Sequence, residues 1–202
     1  TATALMYLFL TEMGANVDYY VPSRHNEGYG MHMDAIKKLA DKDTKLIITV
    51  DNGISATAEI DYANSLGIET IVTDHHLPKD VLPNAVAVIN PHRDDCFLDF
   101  KDFAGVGVAF ILALAVSGSS PDVLLNKYSD LVALGTVADV MPLKHENRGL
   151  VWYGLNKINR NASTGIKALM AASGAKFGGI TAGILAFTAA PRLNAAGRMG
   201  DA

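Results

Sequence analysis

The stretch KLIITVDNGISATAEIDYANSLGIETIVTDHHLP, residues 45–78, decides the fold. It contains two apolar runs rich in β-branched residues, at 45–50 and 68–73, which is typical of buried parallel strands. Between them lies a helix pattern that Ser55 can cap and Gly67 can end. Short connections between strand, helix and strand predict a right-handed parallel βαβ unit. We therefore predict an α/β fold with a doubly wound, mainly parallel sheet.

The rest of the sequence adds one more sheet strand and several helices. A third apolar run, AVAVIN at 85–90, is predicted to extend the parallel sheet. Upstream of residue 45, the patterns predict helices at 2–13 and 33–40 and a short strand at 17–21. The second half shows only helix patterns, punctuated by Gly and Ser, at 103–116, 123–136, 147–160, 164–172 and 180–188.

These patterns predict one catalytic domain in two parts. Residues 1–116 are expected to form the parallel α/β core, and residues 117–202 a helical continuation of that core. The 202 residues, half of them hydrophobic, are ample for such a core. No apolar run is long enough to span a bilayer, and no signal peptide is visible. The single cysteine, Cys96, excludes an intrachain disulfide, and we expect a cytoplasmic protein.

The charge is unevenly distributed along the chain. The net charge of −4 alone argues against a nucleic-acid binder. However, the segment from Lys144 onward contains eight basic residues (Lys or Arg) and two acidic residues (Asp or Glu). Residues 1–143 contain the other nine basic and nineteen acidic residues. An acidic first part suits metal ligands, and a basic last part suits a polyanionic partner. The alternative, that these charges only solvate surface faces, stays open.

Acidic and imidazole side chains follow two of the predicted strands. Asp51 comes directly after the first strand, and Asp74, His75 and His76 come after the second. Ligands bind at the carboxyl ends of strands in open parallel sheets, and neighbouring strands lie about 4.8 Å apart. Both tips can therefore reach one divalent cation or a close pair. One histidine is expected to bind metal while the other faces the substrate, as a phosphate ligand or general acid; a solvent-exposed turn is the alternative.

Two further features extend this predicted rim. Asp139 is the only charge in the apolar run 131–143, where a lone carboxylate is costly unless it is paired or bound to metal. His92 follows the third strand and is a candidate metal or phosphate ligand. Alternatively, Asp139 is an exposed residue at a helix end.

Two more stretches are candidate phosphate-binding segments. Gly105 and Gly107 precede a helix, where backbone N–H groups can bind anions, although close helix packing also requires glycine. PRLNAAGRMG at 191–200 is predicted to be a loop in which Arg192 and Arg198 flank Asn194 and clamp phosphates. The alternative is a surface loop with solvated arginines.

Six motifs, in order along nearly the whole chain, resemble the DHH phosphoesterase superfamily. They are VDNG at 50–53, TDHHLP at 73–78, NPH at 90–92, FAGVGVAF at 103–110, ALGTVADVMPL at 133–143 and PRLNAAGR at 191–198. The last two favour the RecJ-type exonucleases within that superfamily. The resemblance implies a phosphodiesterase with two Mn²⁺ or Mg²⁺ ions that removes nucleotides 5′→3′ from single-stranded DNA in repair and recombination. A single-strand-binding protein and a helicase are candidate partners of the parent protein.

The resemblance also implies a role for each site residue. Asp51 would bridge the two metals, and His75 and Asp139 would complete the coordination of one of them. Asp74 would orient an imidazole, and His76 would face the scissile phosphate. The stretch containing Arg192 and Arg198 would lie near DNA.

One departure from the family pattern concerns the start of the sequence. The first motif of the family is a strand ending in a D-x-D-G turn, followed by a helix that reads like TATAL. The sequence begins at that helix, without the two aspartates expected just before Thr1 and without the family's C-terminal DHH-associated and OB-type domains. We therefore expect these 202 residues alone to bind metal poorly and to be inactive or nearly so.

Two other functions stay open. The first is a DHH phosphoesterase for small substrates, such as oligoribonucleotides, cyclic dinucleotides or pyrophosphate. The second is a metal-free scaffold subunit, which the presence of Asp51, His75, His76 and Asp139 disfavours.

Overall fold

The structure is a computed structural model that describes residues 1–22 and 30–199, with side chains as far as Ala196. Its three strands are β1 (Leu46–Val50), β2 (Glu69–Thr73) and β3 (Ala87–Ile89). Its helices are α1 (Ala2–Glu12), α2 (Met33–Asp41), α3 (Thr57–Ser65), α4 (Gly105–Ser117), α5 (Pro121–Ala138), α6 (His145–Asn161), α7 (Thr164–Ala172), α8 (Ala182–Ile184) and α9 (Ala190–Met199), with a π-helical segment at Leu185–Ala189 between the last two.

The three strands form one parallel sheet in the order β1-β2-β3. Val50 pairs with Thr73, and Thr73 pairs with Ile89, so the last residues of the three strands lie side by side. The residues that follow each strand therefore leave the sheet at the same edge.

Helices cover both faces of this sheet. Ile47 packs against a cluster that includes Ile36 of α2 and Ala63 of α3. Ile48 and Val50 pack against the opposite cluster, which is built from α1, α4 and α5. Since successive strand residues point to opposite faces, covering both faces explains the apolar residues Ile47, Ile48 and Val50. The doubly wound parallel α/β fold expected from the sequence is confirmed.

Helix α5 joins this core to a second one. Tyr128 and Val132 of α5 pack with α1 and α4, whereas Leu134 and Val137, nearer its C-terminal end, pack with α6, α7 and the π-helical segment. The division between residues 116 and 117 stays a prediction. In the described part of the chain, no helix is both long and apolar enough to cross a membrane.

Two local predictions were wrong. No strand forms at 17–21: Tyr19 and Val21 are exposed there, and the segment pairs with no described strand. Ser55 does not cap α3, which begins at Thr57 after Ala56 and has no side-chain cap. The crossover from β2 to β3, at residues 74–86, consists of turns and loops around the site described next.

Candidate metal centre

Asp51 leaves β1 in a left-handed backbone conformation, with φ 63°. Its backbone N–H donates to the carbonyl of Thr73 over 3.0 Å, which ties it to the end of β2. The following turn is tight: Thr49 Oγ1 donates to the Asn52 carbonyl over 2.8 Å, and Gly53 has φ 106° with no room for a Cβ beside Thr49. Aspartate tolerates this φ better than most residues, and such outliers cluster at functional sites.

Asp74 is a buried carboxylate that organises the segment after β2. Its Oδ2 accepts from the Ile54 N–H over 3.0 Å. Its Oδ1 accepts from the N–H groups of His75 and His76 over 2.8 and 3.2 Å and lies 2.6 Å from Nδ1 of His76. The carboxylate accepts from that ring nitrogen, and the His76 side chain is 49% exposed.

His75 lies between two carboxylates. Its Nε2 lies 3.1 Å from Oδ1 of Asp51 and 3.3 Å from Oδ2 of Asp139. The two adjacent imidazoles stay close together, with ring centroids 4.5 Å apart. Asp139 reaches the site from the C-terminal end of α5, where its N–H still donates to the Gly135 carbonyl.

The residues present fit a divalent cation. Nε2 of His75 is buried and makes no hydrogen bond of good geometry with a described group. Ligand atoms of Asp51, His75 and His76 all lie within 4.8 Å of one another. Carboxylate oxygens and a neutral imidazole nitrogen form a donor set suited to a transition metal such as Mn²⁺.

The electrostatics of the cluster also favour a bound cation. Burial alone would lower the pKa of His75, but the nearby carboxylates of Asp51, Asp139 and Asp74 raise it above its ordinary value. Burial raises the pKa of Asp139, His75 opposes this shift, and Asp51 adds to it. The raised pKa of His75 shows that these carboxylates favour a positive charge at this position. A cation would supply that positive charge instead.

Gly105 allows helix α4 to begin in contact with Asp51. A Cβ on Gly105 would lie 2.3 Å from Oδ1 of Asp51, which no side chain tolerates. Gly107 is different: a Cβ there would first meet the Phe103 ring at 3.3 Å, so this glycine serves helix packing. Phosphate binding by the two glycines stays a prediction.

The sequence reasoning missed Asn90, which follows β3 and is buried. Its Nδ2 donates to the His76 carbonyl, and its Oδ1 accepts from the His92 N–H, each over 2.8 Å. Asn90 therefore links the segment that carries the two histidines to the segment that carries His92. Its place directly after the third strand, matching Asp51 and Asp74, was the available signal. The His92 ring lies close enough for His75 to lower its pKa, although burial is the larger cause.

The segment at 191–200 was wrongly predicted to be a loop. Pro191 lies in the first turn of α9, where proline is tolerated, and the helix runs on through Gly197. Arg192 is exposed and donates from Nη1 to the Thr188 carbonyl over 2.6 Å. Among the described contacts, none connects Arg192 or Asn194 with the metal centre, and the side chain of Arg198 lies outside the described residues.

Comparisons with known proteins agree with this geometry. The chain is 45% identical over 214 residues to the single-stranded-DNA-specific exonuclease RecJ of Escherichia coli (strain K12). That match covers 100% of this chain but only 37% of the relative, so the chain spans little more than a third of that protein's length.

Two solved structures share the fold. The crystal structure of exonuclease RecJ bound to manganese matches with a TM-score of 0.86 and 38% identity, over 98% of this chain and 50% of that one. The crystal structure of RecJ in complex with Mg²⁺ from Thermus thermophilus matches with a TM-score of 0.64 and 32% identity, over 98% of this chain and 24% of that one.

A family model extends over most of the site. The model described as the DHH family, N-terminal domain, matches residues 1–136. This range contains Asp51 and the Asp74-His75-His76 triplet and ends three residues before Asp139. With its parallel sheet, its shared strand edge and this match, the chain belongs to the DHH family.

Proposed function

We propose that the chain is the metal-binding core of a RecJ-like exonuclease that removes nucleotides from the 5′ end of single-stranded DNA. One observation carries the proposal: the buried Nε2 of His75 lies within 3.3 Å of carboxylate oxygens from both Asp51 and Asp139. The names of the E. coli relative and of the metal-bound structures support the substrate class and the metal.

Asp51, His75 and Asp139 are the residues that would hold Mn²⁺ or Mg²⁺. Such an ion lowers the pKa of bound water and stabilises charge on a phosphoryl group. In the proposed two-metal site, Asp51 would be the residue that holds both ions. Gly105 keeps the Asp51 carboxylate free to turn toward the cation, since any larger residue would occupy the same space.

His76 is the proposed catalytic group nearest the substrate. Asp74 fixes its Nδ1 side at 2.6 Å, which leaves Nε2 to hydrogen-bond a phosphate oxygen or to supply a proton to the leaving group. Asp74 is itself buried and acts by holding the imidazole at a fixed angle.

The remaining phosphate contacts are proposed for His92, Gly105, Gly107, Arg192, Asn194 and Arg198. The support is strongest for His92 and Gly105, which adjoin the metal centre. Cytoplasmic location, a role in DNA repair and recombination, and action beside a single-strand-binding protein and a helicase are part of the same proposal.

The test uses the longest translation product that contains these residues, with the 202-residue chain beside it. Single-stranded DNA labelled at its 5′ end is incubated with Mn²⁺, and a dinucleotide serves as parallel substrate. Labelled mononucleotide from the long strand, lost in His76→Ala, is the expected result. Cleavage of the dinucleotide alone would move the protein to the small-substrate phosphoesterases, and failure on both substrates without Mn²⁺ binding would favour the scaffold function.

A further inference from the structure

Helix α6 exposes a pair of aromatic side chains that neither core uses. Trp152, the only tryptophan in the chain, is 61% exposed, and Tyr153 beside it is 44% exposed. Their ring centroids lie 5.1 Å apart in an edge-to-face arrangement. Exposed single aromatic residues are common, but an exposed Trp-Tyr pair on a rigid helix is a large apolar surface without a partner among the described residues.

The helix that carries this pair has three basic side chains, Arg148, Lys157 and Arg160, against one acidic side chain, Glu146 in its first turn. The sequence contains no Asp or Glu between Asn147 and Gly200. Arg148 lies one turn before Trp152 on the same helix face, and Arg160 lies two turns after it; both are exposed. In the described part of the chain, no carboxylate forms an ion pair with either arginine. A surface that is both aromatic and cationic is complementary to a single-stranded nucleic acid, whose bases stack and whose phosphates carry charge.

Hydrogen bonds tie the start of this helix to segments beside the metal centre. Nδ2 of Asn147, in the first turn of α6, donates to the Pro142 carbonyl over 3.1 Å, three residues after Asp139. The same Nδ2 donates to the Asp102 carbonyl over 2.7 Å, three residues before Gly105.

A ring contact next to this hydrogen bond strengthens the connection. The ring of His145, the first residue of α6, lies 5.5 Å from that of Phe100. Trp152 follows His145 by two helical turns on the same face, at about 10 Å given the 1.5 Å rise per residue.

We propose that the aromatic face of α6, defined as Arg148, Trp152 and Tyr153, is a stacking surface for the bases of a single strand on its way to the metal centre. The choice of ligand rests on the proposed function, but binding can be measured without metal and without cleavage. Stacking on aromatic rings is tolerant of sequence because every base has a π-face. The surface would therefore hold the strand without selecting its sequence.

The sole tryptophan reports directly on this contact. The 202-residue chain is titrated with oligodeoxythymidylate in EDTA while its tryptophan fluorescence is followed, and an abasic oligonucleotide of the same length is the matched ligand. We expect strong quenching by the thymidylate, and little by the abasic strand, which keeps the phosphates but lacks bases. Equal quenching by both strands, or none by either, would refute stacking at Trp152.

Variants separate this surface from general electrostatics. With a dye-labelled thymidylate strand and anisotropy, Trp152→Ala is expected to weaken binding about tenfold, and Trp152→Phe to restore most of it. Phe97→Ala is the matched control, since Phe97 is 98% exposed but sits among Asp94, Asp95 and Asp99. Unchanged binding of the thymidylate strand in Trp152→Ala would overturn the proposal.

Failure of the two proposals can be told apart. If the chain binds thymidylate through Trp152 but the full translation product cleaves no phosphodiester, the stacking surface stands and the exonuclease function fails. If cleavage of the dinucleotide is normal in Trp152→Ala and cleavage of the long strand has a raised KM with unchanged kcat, both stand. A raised KM for the dinucleotide as well would show damage to the metal centre rather than loss of stacking.

Discussion

Oδ1 of Asp74 and Nδ1 of His76 lie 2.6 Å apart, and the carboxylate is buried while half of the imidazole surface is exposed. Asp74 is therefore the fixed side of the pair, and the proposed function assigns to His76 the contact with the substrate. We expect His76→Ala to lower kcat on 5′-labelled single strands by about 10²–10⁴-fold, the range typical of a lost general acid or base.

Asp74→Asn tests the fixed side of the same pair. In the asparagine side chain only the oxygen accepts hydrogen bonds, whereas both carboxylate oxygens of Asp74 accept from the N–H groups of Ile54, His75 and His76. The imidazole should therefore lose its orientation. We expect a fall in kcat similar to that of His76→Ala, with folding retained in circular dichroism. Full activity in Asp74→Asn would show that the short contact does not position His76.

Gly105→Ala is expected to weaken Mn²⁺ binding at least tenfold, because the added methyl group would overlap Oδ1 of Asp51 at 2.3 Å. Isothermal titration calorimetry measures the affinity directly. Gly107→Ala is the matched control on the same helix, since its methyl group would first meet the Phe103 ring at 3.3 Å. Equal Mn²⁺ affinities in the two variants would contradict a specific contact between Gly105 and Asp51.

Asn90→Ala is expected to destabilise the protein by about 1–3 kcal/mol, because the His76 carbonyl and the His92 N–H both lose a buried partner. Urea denaturation followed by circular dichroism gives the free energy of unfolding. Asn156→Ala serves as control: its side chain bonds only the Trp152 carbonyl within α6, so a change below about 0.5 kcal/mol is expected. A comparable loss in both variants would mean that Asn90 has no special position.

Mn²⁺ affinity should fall as the pH is lowered through the raised pKa of His75. In the metal-free protein the carboxylates around His75 raise its pKa above its ordinary value despite burial, and only the neutral imidazole binds metal. Below that raised pKa, protons compete with Mn²⁺, and the affinity drops by about tenfold per pH unit. Calorimetry in buffers of different ionisation enthalpy should detect proton release on binding; an affinity that stays constant down to about pH 5, well below the ordinary pKa of histidine, would exclude His75 as a ligand.

A stability prediction concerns the contact between α1 and α5. Oε2 of Glu12 accepts from Lys127 over 2.8 Å and from the Tyr128 hydroxyl over 2.7 Å, and these two bonds lower the pKa of Glu12 below 4.5. A lowered carboxyl pKa stabilises the fold above the unfolded pKa, and that stability is lost as the pH falls through the folded pKa.

We expect Glu12→Gln to cost about 0.5–1 kcal/mol at pH 7, a small value because half of the carboxylate is exposed to solvent. The difference from the wild type should shrink toward zero near about pH 3, as measured by urea denaturation at both pH values. Tyr128→Phe should show the same trend, because it removes one of the two donors. A difference that persists at the acidic pH would place the effect elsewhere than on the charge of Glu12.

The parts of the site that follow strands could be predicted from the sequence. Parallel strands end at one edge, so Asp51 and Asp74-His75-His76 were brought together by the pattern of apolar runs alone. Asp139 was different, since no periodicity places the end of α5 at that edge. Its position depended on the family resemblance, and its 3.3 Å contact with His75 required the structure.

The features that could not be predicted depend on tertiary packing. Asn90 looks like an ordinary turn residue until its two hydrogen bonds are seen. Helix α9 was missed because proline and glycine usually mark loops. Here Pro191 lies in the first turn of the helix, and the helix continues through Gly197. The segment 17–21, predicted to be a strand, had suitable residues, but no strand of the described part of the chain pairs with it, and such pairing is what turns β-propensity into a strand.

The wide separation of the ligands along the chain has a consequence for how the protein assembles. A cation held by Asp51 and Asp139 would fasten the tip of the sheet to the end of α5, closing a long loop of the chain between them. A free ion at a concentration of about a hundred times its Kd increases the free energy of unfolding by about 2.7 kcal/mol. The ion would then be a structural cross-link as well as a reactant, and the cellular supply of manganese or magnesium would govern how much of the protein is folded, not only how fast it works.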